Sequence, residues 1–314
     1  MPGPRSTPVE VDGRVIHLTN LDKVLWPQDG YTKAHLIRYY AQVAPVMLPH
    51  LRGRPLTVTR WPEGVTGPSF YQKNAPPYTP RWVRTWRAPH RDPDSDGKKP
   101  IDYILAQDTA TLVWLANQAC IELHPWLSTA ENPDNPDRIV LDLDPDPPAG
   151  FPQARRVALV VKEVLDRMGL RGYPKLSGAT GVHICIPVAP RHPYRVASRL
   201  AGFIGRIVAD LLPHEATVER RVKDRRGRVY LDYLQNLPGK TIAAAYSVRP
   251  RTQPTVSMPV TWEELAACEP GDFTIETVPP LVARHGDRAA AVLHDRQSID
   301  HWVEELAARK DPQF

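Results

Sequence analysis

Ile139-Val140-Leu141-Asp142-Leu143-Asp144-Pro145-Asp146-Pro147-Pro148 is the stretch on which the reading of this chain turns. Ile-Val-Leu is a β-branched and aliphatic run of the kind that fills a buried strand, and side chains two apart on a strand project to the same face. Asp142 and Asp144 therefore point the same way. Two carboxylates side by side at the end of an apolar strand repel each other and lose hydration, which costs several kcal/mol per buried ion unless something positive lies between them. A divalent cation is the usual remedy. Pro145, Pro147 and Pro148 stop the strand, so the pair stands where a strand opens onto a loop. Taken alone, Asp-x-Asp also fits an ordinary strand end with Asp144 and Asp146 in solvent, because carboxylates gather at turns for reasons unrelated to metals.

Outward along the chain, a third carboxylate strengthens the metal reading. Val229-Tyr230-Leu231-Asp232-Tyr233-Leu234 carries Asp232 in apolar surroundings, where an aspartate is rare unless paired or metal-bound. If that strand neighbours the first, three carboxylates meet, the acidic set that a two-metal phosphoryl-transfer site needs. Magnesium or manganese suits such oxygen ligands, completed by substrate phosphates. Ser177-Gly178-Ala179-Thr180-Gly181 is a turn whose glycines let backbone N–H groups approach an anion, with Ser177 and Thr180 adding hydroxyls. It is not a Walker A loop, since no Gly-Lys-Ser/Thr follows and a strand comes next. His183 on that strand fits a hydrogen-bonded core histidine as well as a ligand-binding one.

Periodicity supplies the surroundings. Val11 to Leu18 around Asp12-Gly13 reads as a hairpin after a loose tail at 1–9. Leu36, Tyr39, Tyr40, Val43 and Val46 predict a helix from Lys33 to about Leu48 with Thr32 as N-cap, flanked by Lys23 and Lys33. Arg54 to Trp61 is strand-like and ends in a basic-aromatic pair containing Arg60. Phe70-Tyr71-Gln72-Lys73 places two aromatics on opposite faces, one free to stack on a base. Residues 87–100 read as a mobile surface loop. A helix is expected from Thr109 to Leu123, delivering Glu122, His124 and Trp126. Further helices are expected at Pro152–Met168, at Tyr194–Leu212, near 261–268 and near 296–308. Arg220, Arg221, Lys223, Arg225, Arg226 and Arg228 form a basic hairpin, Gln235 to Lys240 a loop, and Thr241 to Val248 a strand.

The composition is that of a soluble globular protein, 42% hydrophobic and 24% charged, and 314 residues suffice for one large domain or two. The net charge of +5 is a mild hint of a polyanionic partner. Cys120, Cys185 and Cys268 have no zinc or redox spacing, which implies a reducing compartment and no structural zinc. The N-terminus has no apolar leader, and no run approaches the ~18 apolar residues of a membrane span, so a cytoplasmic protein is expected.

The order of motifs is more specific than any of them: Asp142-Leu143-Asp144-Pro145, then Ser177 to His183, then Leu231-Asp232-Tyr233-Leu234-Gln235-Asn236, then Tyr246-Ser247-Val248-Arg249. It resembles the polymerase domain of bacterial DNA ligase D and its stand-alone relatives, in the archaeo-eukaryotic primase superfamily. The likeness extends over nearly the whole chain, through Leu18-Thr19-Asn20, Asp22-Lys23-Val24-Leu25, Gly53-Arg54-Pro55, Arg60-Trp61-Pro62, Ile121-Glu122-Leu123-His124, Pro254-Thr255-Val256-Ser257 and Trp262.

That resemblance implies an α/β (α+β) primase-polymerase-like fold, with a central, mostly antiparallel, RRM-like sheet flanked by helices and an N-terminal α/β lobe. One catalytic domain is expected over 10–306, divided into a lobe at 10–125 and a core at 126–306, with a tail at 307–314. Asp142, Asp144 and Asp232 would be catalytic metal ligands for two divalent cations, Mn2+ or Mg2+. Ser177, Thr180, His183, His124 and Arg249 would bind nucleotide, with Gln235 and Asn236 near sugar or template and Phe70 and Tyr71 under the base. Lys23 and Lys33 would grip a 5′-phosphate at a gap, and Arg225 would sit on a loop that affects catalytic readiness. Arg60, Lys73, Arg220, Arg221 and Lys223 complete the expected DNA contacts. Some relatives carry lysine where this chain has Thr180, so Lys175 or Lys240 is left to meet one triphosphate charge.

The implied activity is template-dependent nucleotidyl transfer at DNA gaps and ends in break repair, favouring ribonucleotides. Its partners would be gapped or broken DNA and nucleoside triphosphates (NTPs or dNTPs), with an ATP-dependent ligase and Ku beside it, and the protein would work as a nucleoid-associated monomer. Two other readings stay open from the residues: an Asp-x-Asp phosphatase with a covalent aspartate, and a non-catalytic DNA-end-binding module using the basic residues on phosphates.

Overall fold

Ile139, Leu141 and Leu143 are fully buried on one side of the strand Arg138–Pro145, as the period-two alternation requires. The computed structural model describes residues 6–88 and 100–308. In it this strand is the middle of a five-stranded sheet, ordered Tyr173–Leu176, Val182–Pro187, Arg138–Pro145, Val229–Asp232, Ala216–Thr217. The first three pairings are antiparallel and the last is parallel. Two amphipathic helices, Phe151–Arg167 and Tyr194–Leu211, bring Val157, Val161, Leu200 and Ile204 into the same core as the inward strand residues. The opposite face, carrying Val140, Asp142 and Asp144, is left for the site.

A second sheet forms the N-terminal half. Its strand Leu56–Arg60 pairs with Cys120–Pro125 along one edge, and with Phe70–Gln72 and Asp102–Leu105 along the other, Arg84–Arg87 lying beyond. The helix Lys33–Leu51 packs beside it, with Thr32 as N-cap, and one continuous apolar core runs from Ile16 through Leu36, Leu56 and Leu141 to Leu306. A mixed helix and antiparallel-sheet architecture is what the sequence led us to expect.

Several local expectations fail, each for a physical reason. The tail at 1–9 already contains a strand, Ser6–Val11, hairpinned to Arg14–Thr19; residues 307–308 close a helix, Asp300–Ala308. The helix expected from Thr109 to Leu123 ends at Asn117, because Ala119 takes a left-handed turn and the alternating Cys120–Pro125 pairs with Leu56–Arg60. Glu122 and His124 therefore stand on a strand. The outbound arm of the basic hairpin is a short helix, Val222–Arg225, closed by left-handed Arg226. Thr241 to Val248 is irregular, joined to its neighbours by single bridges such as Val248 to Val256. Helices at Val278–His285 and Ala290–His294 went unforeseen. The loop expected at 87–100 lies mostly outside the described residues.

Candidate active site

Four side chains line up across four neighbouring strands. The register pairs Lys175 with His183, His183 with Asp142, and Asp142 with Asp232. Lys175 Nζ lies 2.7 Å from His183 Nδ1, and His183 Nε2 lies 3.3 Å from Asp142 Oδ1. Asp144, two residues beyond Asp142 on the same face, pairs in register with Tyr230. The sheet thus brings Asp142, Asp144 and Asp232 to one place from distant parts of the chain. Asp232 is already engaged: it accepts from Tyr230 Oη (3.1 Å), the Leu234 N–H (2.9 Å) and Gln235 Nε2 (3.2 Å).

The carboxylates are electrostatically unsatisfied. Burial, then the charges of Asp144 and Asp232, push the Asp142 carboxyl well above the usual carboxylate range. Burial and Asp232 also raise Asp144, against the pull of Arg225 and Arg249. Asp142 Oδ1 is buried and accepts no hydrogen bond. Among the described residues no three carboxylate, imidazole or thiolate groups already enclose an ion. An orphaned carboxylate oxygen beside two like-charged neighbours nevertheless fits a hard divalent cation, for which oxygen is the preferred donor.

The turn at 177–181 closes against this row. Ser177 Oγ accepts from the N–H groups of Ala179 and Gly181, both at 3.1 Å, so this hydroxyl shapes the turn from inside while Thr180 stays exposed. Gly178 has φ of +74°, and a Cβ there would come within 2.7 Å of Arg249 Cγ. At Gly181 a Cβ would lie 2.4 Å from the Leu143 carbonyl oxygen, so only glycine lets the turn pack onto the aspartate strand.

Arg249 Nε pairs with Glu122 Oε1 at 3.0 Å, and Glu122 Oε2 lies 3.7 Å from His124 Nε2. Burial pushes Glu122 up, but His124 and Arg249 together hold it below its ordinary value. His124 is kept low by burial. The Tyr71 ring sits 5.7 Å from the His124 ring, and Tyr71 and Phe70 are both exposed, at 60% and 46%. Neither aromatic is a core residue, contrary to the split expected for adjacent strand positions. Arg249 follows a left-handed residue, Tyr246, whose Oη donates to Asp287 at 2.7 Å, with His50 Nε2 2.8 Å from the same carboxylate.

A polar pocket beside Asp232 is lined by Arg220, Arg225, Tyr230, Gln235 and Lys240. The Arg225 guanidinium lies over the Tyr230 ring at 3.9 Å. Arg221 and Lys223 are exposed on the adjoining short helix. Asn236 is different: it is fully buried, with Oδ1 accepting from Val140 N (2.8 Å) and Nδ2 donating to Val140 O (2.7 Å). It splices the loop to the central strand and leaves no group for sugar or template. Arg60 is also committed, donating to Gln118 O, Gln72 and Tyr78 and covering the Phe70 ring at 5.3 Å, while Lys73 is exposed. Lys23 pairs with Glu63 at 2.9 Å. Lys33 is buried, donates to Asn117 O at 3.1 Å, and is drawn down to about 8 by burial and by Lys23.

Sequence reasoning passed over Glu122 and Tyr230 as site residues. Glu122 was legible only in retrospect, as the acid two before His124 on one strand face. Tyr230 carries no motif signal.

Several known proteins are similar to this chain. The family model described as LigD, primase-polymerase domain, matches residues 32–289. The Bifunctional non-homologous end joining protein LigD of Bacillus subtilis is 36% identical over 273 residues, 86% of this chain and 43% of the relative. The Multifunctional non-homologous end joining DNA repair protein LigD of Mycobacterium tuberculosis is 36% identical over 280 residues, 87% of this chain and 36% of its own length. The chain thus spans less than half of the curated relatives it matches. Among solved structures, the polymerase domain of Mycobacterium tuberculosis ligase D in complex with DNA superposes with a TM-score of 0.81 at 35% identity, over 90% of this chain and 99% of that one. No helix among the described residues is long and apolar enough to cross a membrane.

Proposed function

Because the chain belongs to the LigD primase-polymerase family, we propose that it is a template-dependent nucleotidyl transferase that fills gaps and extends ends in DNA break repair by non-homologous end joining. The observation that carries this reading is the register of Asp142 opposite Asp232 with Asp144 on the same face, a like-charge cluster that costs stability and is tolerable only for use.

In this reading Asp142, Asp144 and Asp232 hold divalent cations, Mn2+ or Mg2+. Such cations lower the pKa of a primer 3′-hydroxyl and neutralise charge on the leaving pyrophosphate. The protein's own groups do the positioning. The 177–181 turn, His183 and Arg249 take the triphosphate, with Arg220, Arg225 and Lys240 at its far side. Tyr71 and Phe70 offer exposed rings to the incoming base. Lys23 and Lys33, neighbours at the start of the first long helix, take the 5′-phosphate beyond the gap. Residues 10–306 act as one catalytic domain, in the cytoplasm at the nucleoid, alongside an ATP-dependent ligase and Ku.

The phosphatase reading loses ground because Asp146, at the position of its Thr or Val, is committed to the Gly227 N–H at 3.2 Å. A purely DNA-binding module leaves the three carboxylates without a role. The test is primer extension on gapped DNA with Mn2+ or Mg2+, with and without a 5′-phosphate, comparing ribo- and deoxynucleotides. Metal-dependent growth of the primer supports the reading, and phosphate release without growth overturns it.

A further inference from the structure

Arg60 ties the exposed aromatics to Lys33, one of the two lysines assigned above to the 5′-phosphate. The helix Thr109–Asn117 stops at Asn117, and two cations take carbonyls at its end: Lys33 Nζ donates to Asn117 O at 3.1 Å, and Arg60 Nε donates to Gln118 O at 2.9 Å. Adjacent carbonyls thus hold Arg60 beside Lys33. The Arg60 guanidinium lies over the Phe70 ring at 5.3 Å, and Nη1 donates to Tyr78 Oη at 2.6 Å. Tyr78 is held at its other end too. It is the third residue of a turn closed by the Thr79 N–H donating to Pro76 O at 2.9 Å, with Pro77 pre-setting the backbone. Yet Tyr78 is 56% exposed. An aromatic ring fixed at both ends and left in water gives up its freedom without burying its faces in return, which marks a surface prepared for a partner. The loop's charge suits a polyanion: from Tyr71 to Arg81 there is no acidic residue, and Lys73 and Arg81 are exposed near its ends.

We propose that Tyr78 is a third stacking ring, tied to Phe70 through Arg60, which takes an unpaired base of the template strand at the edge of the gap. The identity of the strand rests on the polymerase reading above: beside a 5′-phosphorylated end in a gap, the unpaired bases belong to the template strand alone. Stacking is indifferent to base identity, because every base has a π-face, so the ring serves any template sequence. The hydrogen bond from Arg60 spares the ring the entropy of being ordered when the base arrives.

The experiment is a double-mutant cycle between the ring and the base. The full chain and its Tyr78→Ala variant are titrated with 5′-phosphorylated gapped DNA whose template residue nearest the 5′-phosphate carries either a normal base or none. Wild type is expected to bind the abasic DNA roughly fivefold or more weakly, the scale of one base stacked on an aromatic ring. Tyr78→Ala is expected to bind the intact DNA as weakly as wild type binds the abasic DNA, with no further loss when the base is removed. Tyr78→Phe, which keeps the ring and loses the hydrogen bond to Arg60, is expected to retain most of the dependence on the base. Nicked 5′-phosphorylated DNA, which has no unpaired base, should be bound equally by wild type and Tyr78→Ala. The proposal is overturned if wild type binds abasic and intact DNA alike, or if the two losses simply add, because the ring and the base then do not touch. A Tyr78→Phe protein that behaves as Tyr78→Ala overturns it as well, since the hydroxyl and not the ring would then matter, and so does a loss of Tyr78→Ala binding on nicked DNA. If wild type extends no primer while the coupling persists, the polymerase reading falls and the stacking of Tyr78 on an unpaired base stands.

Discussion

Asp142 and Asp232 face each other across adjacent antiparallel strands, although helices, strands and the phosphate turn separate them along the chain. Like charges directly opposite one another weaken a sheet. The register therefore sets folding against function at a single pair, and the conflict can be measured.

Asp142→Asn is expected to abolish metal-dependent primer extension, a loss of roughly a thousandfold or more, while gapped-DNA binding survives. It is also expected to stabilise the metal-free protein by about 1 kcal/mol. The sign follows from protons bound. The carboxyls of Asp142 and Asp144 are raised in the folded state, so the fold holds protons that the unfolded chain has already released. That stability is present in acid and is lost as the pH rises through their folded values. Thermal unfolding in chelator should show wild type weakening from mildly acid to neutral pH, with a flatter curve for Asp142→Asn. A curve of the same slope for both would remove Asp142 from the cluster.

Lys33 gives a dependence of opposite sense. With its amine drawn down to about 8, the fold loses a proton that the unfolded chain keeps up to the ordinary lysine range, so this group favours folding as the pH rises above that point. Charge available to a phosphate declines over the same interval. The preference for 5′-phosphorylated gaps should therefore fade between about pH 7 and about pH 9.5, whereas Lys23→Glu should weaken it at every pH. Competition binding with phosphorylated and unphosphorylated gaps checks both.

Asn236→Ala should cost about 2–3 kcal/mol of stability, because it strands the buried N–H and C=O of Val140, and should leave the nucleotide KM of the folded protein unchanged. Urea denaturation and steady-state kinetics measure the two effects. A KM that rises without loss of stability would return Asn236 to the nucleotide site.

Asp287→Ala removes the shared partner of His50 and Tyr246, leaving both polar groups in the interior at a cost of about 3 kcal/mol. Because left-handed Tyr246 sits in the turn Ala244–Ser247, just before Arg249, the surviving folded enzyme should also bind nucleotide more weakly. Unchanged affinity would separate that turn from Arg249.

How much was legible follows from which forces are local. The strand of Asp142 and the helices Phe151–Arg167 and Tyr194–Leu211 declare themselves by apolar period, and the carboxylates by their cost among Leu and Val. The segment Cys120–Pro125 misled because Leu112 to Ala119 sets a helical rhythm that Cys120 and Leu123 happen to continue. What ends that helix is pairing with Leu56–Arg60, which is tertiary and invisible locally. Asn236 misled for a related reason: a polar residue in a polar loop gives no sign that it will be spent on Val140. The meeting of Asp142 with Asp232 was expected, but the exact row was hidden, since only register sets Lys175 opposite His183 and His183 opposite Asp142.

Gly181, pressed against the Leu143 carbonyl, makes the 177–181 turn and the acidic strand a single mechanical unit. Thr180, one residue earlier, is exposed. Side chains at that site can be exchanged without moving the scaffold, so if the proposed polymerase reading holds, position 180 is the dial for anion affinity and position 181 the bolt that holds the dial in place.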